Sequence, residues 1–104
     1  MHAIDEFLAL SPRPTALYCF NNSLARLVIA ELQRRGVKVP EEISVLGGGG
    51  EEVPGLTCHQ ADWYAMGRQA VQMIVRTLNE PHHVPEHYLS PHVIRPGQTT
   101  AVEK

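Results

Sequence analysis

The histidines are one group of side chains in this sequence that could do chemistry. His82, His83, His87 and His92 lie in one short stretch, and the pair Cys58-His59 precedes them. Neutral imidazoles are good ligands for zinc, copper or nickel. Their spacing, however, fits no structural zinc pattern, and the prolines of the stretch keep it extended. We therefore interpret the stretch as a solvated connector and predict neither a metal site nor a cofactor.

A run of glycines at 47–50, followed by Glu51 and Glu52, is the second chemical candidate. Backbone N–H groups of a glycine-rich loop can hold a phosphate, but the sequence contains no GxxxxGK[ST] motif. Two carboxylates directly beside the run would also repel a phosphate. The sequence favours a flexible surface loop over a nucleotide site.

Nucleophiles are the third candidate, and no catalytic arrangement stands out. The serines at 11, 23, 44 and 90 lie in no GxSxG context, and Cys19 is inside an apolar run where a thiol serves as packing. The sequence therefore predicts that the chain is not an enzyme.

Composition limits the partners. The chain has 104 residues, 43% of them hydrophobic and 19% charged, with 9 Lys and Arg against 11 Asp and Glu. This is the composition of one small globular domain, and its near-neutral charge predicts no strong attraction to nucleic acid or to a membrane. The absence of a secretory signal pattern at the start and of an apolar run of ~18 residues predicts a cytoplasmic location without a membrane span.

Proline and glycine divide the chain into alternating helices and strands. Amphipathic spacing and capping residues predict helices, and short apolar runs predict strands. In chain order we expect helix 3–10, strand 15–20, helix 21–36, strand 43–47, strand 56–60, helix 62–78 and a last strand near 87–94. This order predicts an α/β fold with a mostly parallel sheet flanked by helices. Strands 15–20 and 43–47 lack polar alternation, so we expect both of their faces to be buried.

The two longer helices each show an apolar stripe. We predict that helix 21–36 buries Leu24, Leu27, Val28 and Leu32, and that Asn21 or Asn22 caps it. Helix 62–78 carries the stripe Trp63, Met66, Ala70, Met73 and Ile74. Gly67 lies inside this helix at a cost of about 1 kcal/mol relative to Ala, so we expect close packing there.

Four segments taken together resemble the carboxyl end of Lac/Gal repressor family (LacI/GalR) regulators. They are RPTALYCFNN, GVKVPEEISVLG, GLTCHQADWYAMGRQAVQMIVRTL and YLSPHVIRP, and they occur in the family's order over nearly the whole chain. The resemblance implies a periplasmic-binding-protein-like sensor fold, with two α/β subdomains around a small effector, usually a sugar or related metabolite. Residues 1–104 would be the carboxyl-terminal part of that sensor domain, without a DNA-binding domain.

The resemblance also implies which residues bind the effector. Asn21 occupies the position of a family Asn that reaches the effector, although it can equally serve as a helix cap. Trp63 matches an aromatic position that stacks on a sugar, or it belongs to a core. Gly49 and Gly50 stand where the family has two Asp, so Glu51 or Glu52 would have to supply the lost carboxylate. Asn22 replaces a family Asp, and we expect its role to be structural.

Two functions remain open at this point. In the first, the chain is the effector-sensing portion of a bacterial transcriptional regulator, forms a homodimer and reaches DNA only through a domain that is absent from it. In the second, it is a truncated or degenerate sensor fragment that binds no effector and acts as an interaction module. In both, the resemblance places helix 62–78 in the other subdomain, so its stripe would face water in an isolated monomer.

Overall fold

A computed structural model describes residues 2–82 and 84–102. In chain order the elements are α1 (His2–Leu8), β1 (Ala16–Tyr18), α2 (Asn22–Arg34), β2 (Ser44–Leu46), β3 (Cys58–Ala61), α3 (Trp63–Asn79) and β4 (His92–Arg95). The expected α/β class is confirmed, and the predicted elements are all present with shifted ends. None of the described helices is long and apolar enough to cross a membrane.

The chain divides into two units, each described by itself. Unit 1 consists of the described residues up to Gln60 and from Ile94 onward, and unit 2 is Ala61–Val93. The expectation that helix 62–78 lies outside the main α/β body therefore agrees with this division.

Parallel pairing of β1 with β2 is the centre of unit 1. Ala16 pairs with Ser44 and Tyr18 with Leu46, and the ladder continues through Cys19 N–H, which donates to Leu46 O at 2.8 Å. One further parallel bridge joins Gly47 to Cys58, and β3 pairs with β4 in a second two-stranded sheet. The parallel arrangement brings the carboxyl ends of β1 and β2 to the same edge.

The core of unit 1 lies where the helices pack on one face of β2. Its completely buried large side chains are Leu32, Ile43 and Val45, and Ile4 of α1 joins them. Burial of each such side chain stabilises the fold by about 1.5–3 kcal/mol relative to leaving it exposed.

Two burial predictions were wrong in this unit. Helix α2 buries Ala25, Val28 and Leu32, whereas Leu24 and Leu27 are exposed because they lie on the flank of the apolar face. Strand β1 was expected to be buried on both faces, but Ala16 and Tyr18 are exposed. In the described residues β1 has β2 as its strand neighbour, and Ala16 and Tyr18, which alternate with half-buried Leu17, point to a face that is left largely exposed.

The helix of unit 2 is amphipathic without being buried. Asp62 caps it, because its carboxylate accepts the Ala65 N–H at 2.9 Å, and no residue of α3 is buried. The expected exposed stripe is thus confirmed for Trp63, Ala70 and Ile74, whereas Met66 and Met73 are half-buried. Close packing at Gly67 is not found, since nothing lies within 4 Å of a Cβ placed there. The last strand begins at His92 rather than near 87, because Pro85 and Pro91 cannot donate to a ladder.

Glu31 gives the fold an acid-sensitive contact. Hydrogen bonds from the guanidinium groups of Arg34 and Arg35, at 2.6 and 2.8 Å, lower the pKa of Glu31 from 4.5 to about 2. Arg35 also contacts Asp5 of α1, which lowers the pKa of Asp5. While ionised, Asp5 therefore ties α1 to Arg35 at the end of α2, and Glu31 holds that arginine from within α2.

We predict that the free energy of unfolding falls as the pH is lowered from about 4.5 to about 2, the interval between the ordinary and the folded-state pKa of Glu31. A folded-state pKa below the unfolded one gives stability that is present above this interval and lost within it. Glu31→Gln should reduce this slope, as measured by urea unfolding at a series of pH values. An unchanged slope in the variant would contradict the assignment.

Candidate functional site

The candidate site lies at the carboxyl edge of the parallel β1–β2 pair. Asn21 follows β1, and the glycine run 47–50 follows β2. A Cβ placed on Gly50 would lie 3.9 Å from the Cβ of Asn21, so the two segments are neighbours in space. Ligands of parallel α/β sheets bind outside this edge, where loops rather than strands supply the side chains.

Asn21 serves as the cap of α2. Its backbone is extended, and its side-chain oxygen accepts the N–H of Leu24 at 2.8 Å. This bond satisfies one of the donors that every helix start leaves open. The cap uses the oxygen of the amide, and an amide also has two N–H donors.

Asn22 holds the glycine loop in place. It is only 2% exposed, and it makes three hydrogen bonds with the loop. Its backbone N–H donates to Gly49 O at 2.8 Å, its Oδ1 accepts from Gly49 N–H at 3.0 Å, and its Nδ2 donates to Glu51 O at 3.0 Å. We expected a structural role for Asn22, with either Asn21 or Asn22 as the cap of α2. The structure assigns the cap to Asn21, and Asn22 positions the loop.

The structure explains sterically why each position of the run is a glycine. A Cβ on Gly47 would lie 2.3 Å from Asn22 Oδ1, and one on Gly48 would lie 2.3 Å from Phe20 O. Gly49 and Gly50 have φ angles of 87° and 97°, which other residues rarely adopt. We expected a flexible loop. The structure instead shows a defined loop conformation that is fixed by contacts with Asn22 and with the end of β1.

Glu51 lies at the end of this loop. Its carboxylate is 3.7 Å from the guanidinium of Arg26 on α2, and both side chains are about half exposed. Its carbonyl oxygen is held by Asn22, so the backbone at this position is defined while the carboxylate remains at the surface. Glu52 instead approaches Arg95 at 3.7 Å.

Trp63 belongs to unit 2. It is the first residue of α3 and is 56% exposed, so it is not a core residue within that unit. Its ring lines an open concavity of about 580 Å³ together with Tyr64, Gly67 and Val71. The structure thus brings Asn21 and Glu51 to one edge of unit 1, and it describes Trp63 in unit 2.

An aromatic pair in unit 1 escaped the sequence reasoning. The hydroxyl of Tyr18 is hydrogen-bonded to His59 Nε2 at 2.7 Å, and the two rings stack with centroids 5.6 Å apart. Phe20, two residues after Tyr18, is 80% exposed. The sequence does place two aromatic residues, Tyr18 and Phe20, at alternate positions. Only the structure shows that both side chains are exposed.

Metal binding has no support in residues 2–82 and 84–102, where no group of three histidine, cysteine or acidic side chains comes together. His83, one of the histidines considered above, lies outside the described residues. Cys19 and Cys58 are free and buried, and burial raises the pKa of the Cys19 thiol. A raised pKa keeps the thiol protonated and unreactive, in line with a packing role.

We predict opposite effects for two glycine-to-alanine changes. Gly48→Ala should destabilise unit 1 by about 1–3 kcal/mol, because the new Cβ would overlap the carbonyl oxygens of Phe20 and Cys19. Gly67→Ala is the matched control and should stabilise α3 by about 1 kcal/mol, since the site is open. Urea unfolding followed by circular dichroism, and by Trp63 fluorescence for α3, distinguishes the two. Equal effects of the two changes would show that the loop is not sterically fixed.

Comparison with known proteins agrees with this architecture. The model of the periplasmic binding protein-like domain matches residues 1–100. The HTH-type transcriptional repressor PurR of Aliivibrio fischeri is 35% identical over 88 residues, which cover 78% of this chain and 26% of the repressor. The chain therefore spans about a quarter of the length of such curated relatives.

Solved structures show the same fold. A LacI transcriptional regulator from Bacillus cereus subsp. cytotoxis matches with a TM-score of 0.84 at 20% identity, over 99% of this chain and 38% of that one. A LacI family transcriptional regulator from Enterococcus faecium, solved with bound ribose, matches with a TM-score of 0.79 at 20% identity, over 99% of this chain and 39% of that one.

Proposed function

Because the chain belongs to the periplasmic-binding-protein-like family and corresponds to the carboxyl-terminal effector-binding segment of a LacI/GalR regulator, we propose that it is the effector-sensing portion of a bacterial transcriptional regulator. The effector is a small metabolite, sugar-like in its chemistry. The whole regulator works in the cytoplasm as a homodimer and reaches DNA through a domain that this chain does not include. Its relatives are repressors, which supports a role other than that of an enzyme.

The adjacency of Asn21 and the glycine loop is the observation that carries the effector site. Asn21 and Gly50 lie side by side at the carboxyl edge of the parallel strands, and Glu51 follows directly. An amide donates to and accepts from hydroxyl groups, and a carboxylate accepts from them. Trp63 offers an aromatic ring, which suits the apolar C–H face of a sugar. Ribose bound to the Enterococcus faecium regulator supports an effector of this chemical class.

Glycines at 49 and 50 and alanine at 61 lower the expected affinity. By resemblance, LacI/GalR regulators have carboxylates at positions 49 and 50 and an amide at position 61. Each lost hydrogen bond weakens binding by about 0.5–3 kcal/mol. We therefore expect affinities weaker than micromolar for free monosaccharides. The sequence alone favours Gly49→Asp as a repair. The φ angle of 87° at Gly49 makes that change strained, at roughly 1–3 kcal/mol, so restoring the carboxylate there should cost loop geometry.

We predict that Asn21→Ser separates capping from effector binding. Serine also caps helices well, so the stability of α2 should be kept, whereas Asn21→Ala should lose about 1 kcal/mol. Both variants lose the amide donors and should weaken binding of ribose and other monosaccharides at least about fivefold. Calorimetry and ligand-observed NMR on the purified chain measure the affinities, and urea unfolding measures the stability. Unchanged binding by the serine variant would remove Asn21 from the effector site.

The alternative function is an interaction module without an effector. It is favoured by the internal partners of the site residues, since Asn21 caps α2 and Glu51 pairs with Arg26. Most large apolar side chains of α3 are exposed, which also suits a surface for association; they are Trp63, Tyr64, Val71, Ile74, Val75 and Leu78. A panel of monosaccharides distinguishes the two functions. Binding of none of them at millimolar concentration would favour the module, and saturable binding abolished by a change at Asn21 would favour the sensor.

DNA binding by the chain alone is expected to be weak and non-specific. It has 9 Lys and Arg against 11 Asp and Glu, and no groove-binding motif is apparent in its sequence. A gel-shift experiment at low salt should show at most diffuse retention that disappears as salt is added. A discrete, salt-resistant complex with one DNA sequence would contradict the assignment of DNA binding to another domain.

A further inference from the structure

Within the described residues, the backbone hydrogen bonds between the β2 and β3 segments lie at the carboxyl end of β2. Gly47 N–H donates to Thr57 O at 2.9 Å, and His59 N–H donates to Gly47 O at 3.3 Å. Before Gly47, Thr99 is hydrogen-bonded both to Val45 of β2 and to Thr57, which precedes β3. Thr99 belongs to segment 97–101, which follows β4 in the chain.

Thr99 replaces the missing strand contacts with both its backbone and its hydroxyl. Its carbonyl oxygen accepts the N–H of Val45 at 2.7 Å, and its Oγ1 donates to Val45 O at 2.8 Å. The same Oγ1 accepts the N–H of Thr57 at 3.0 Å. One hydroxyl therefore acts as donor to one segment and acceptor from the other. Valine has the same shape as threonine and can do neither.

A second hydroxyl, that of Thr57, completes the network. Thr57 is 5% exposed, and its Oγ1 accepts the N–H of Gly97 at 2.9 Å. Gly97 lies so close that an added Cβ would be 2.4 Å from Gly55 O and 2.7 Å from Thr57 N. Gln98 N–H also donates to Gly55 O at 2.7 Å. Residues 97–100 are thus each hydrogen-bonded to the segment that precedes β3, whereas Ala101 N–H donates to Ser44 Oγ of β2 at 2.9 Å.

The hydrogen-bond network lies where the chain passes between unit 1 and unit 2. The chain leaves unit 1 at the end of β3 and returns to it within β4. Thr57 directly precedes β3, and Gly97 follows the end of β4 by two residues. The outgoing and the returning segments are therefore joined to each other and to β2 by backbone hydrogen bonds and by the same two hydroxyl groups.

We propose that Thr57 and Thr99 form a latch that fixes both connecting segments to unit 1 and that can open without unfolding of unit 1. When the latch is closed, residues 57–59 and 97–99 move with the sheet. When it is open, the connections to unit 2 are released while α2 and its core contacts with β2 remain. The latch is a conformational control point of this chain, and it involves unit 1 residues alone, independent of any effector.

Hydrogen exchange on the purified chain tests the latch with three variants. Thr99→Val removes both bonds of the hydroxyl, and Thr99→Ser keeps them. Thr100→Val is the control for loss of a neighbouring threonine hydroxyl, because the bond from Thr100 Oγ1 to Thr57 Oγ1 is long, at 3.3 Å, and joins neither segment to β2. We expect Thr99→Val to accelerate exchange of the Thr57, His59, Gly97 and Gln98 amides at least tenfold. The amides of the buried α2 residues Val28 and Leu32 should be unchanged, and Thr99→Ser and Thr100→Val should resemble the parent chain.

Two results would overturn the proposal. Acceleration of the α2 amides by the same factor would show that Thr99 supports the stability of the whole unit rather than a separable latch. Acceleration confined to Thr57, with His59, Gly97 and Gln98 unchanged, would show a single local hydrogen bond. A variant too unstable to purify would be replaced by Thr57→Val, which removes the acceptor of Gly97 N–H from the other side of the network.

Discussion

The buried side chain of Asn22 is the constraint on which the candidate site depends. It lies where the end of β1, the start of α2 and the loop after β2 meet. Its amide occupies the space that a side chain at position 47 would need. A buried amide without partners would cost about 1–3 kcal/mol, so the loop must turn back to satisfy it. Gly49 and Glu51 supply the partners, and the positive φ angles of the loop follow from that turn.

This arrangement joins stability and function at one edge. Asn21 caps the helix and faces the glycine loop, and Asn22 holds the loop that ends in Glu51. The residues that position the site thus also start α2, whose buried face packs on the sheet. The loop and the helix start are joined directly by hydrogen bonds between Asn22 and Gly49.

Polar side chains, rather than further strands, complete the sheet of unit 1. In the part of the chain that the structure describes, Gly47 bridges β2 to β3, and before that point the hydroxyl of Thr99 connects the two segments. A hydroxyl can rotate and exchange partners more easily than a backbone ladder, because it needs no change in φ or ψ. The hydroxyl contacts of Thr99 therefore supplement the backbone hydrogen bonds that attach residues 57–59 and 97–99 to β2.

Local signals in the sequence determined the element order, the α/β class, the helix caps and the amphipathic α3, because turns, caps and periodicity depend on near neighbours in the chain. The similarity of several motifs determined the family. Tertiary structure decided which faces are buried, as Leu24 and Tyr18 show, since burial depends on what other segments cover. It also decided the roles of Asn22 and Thr99, whose partners lie 27 or more residues away in the chain, a distance at which local patterns carry no information.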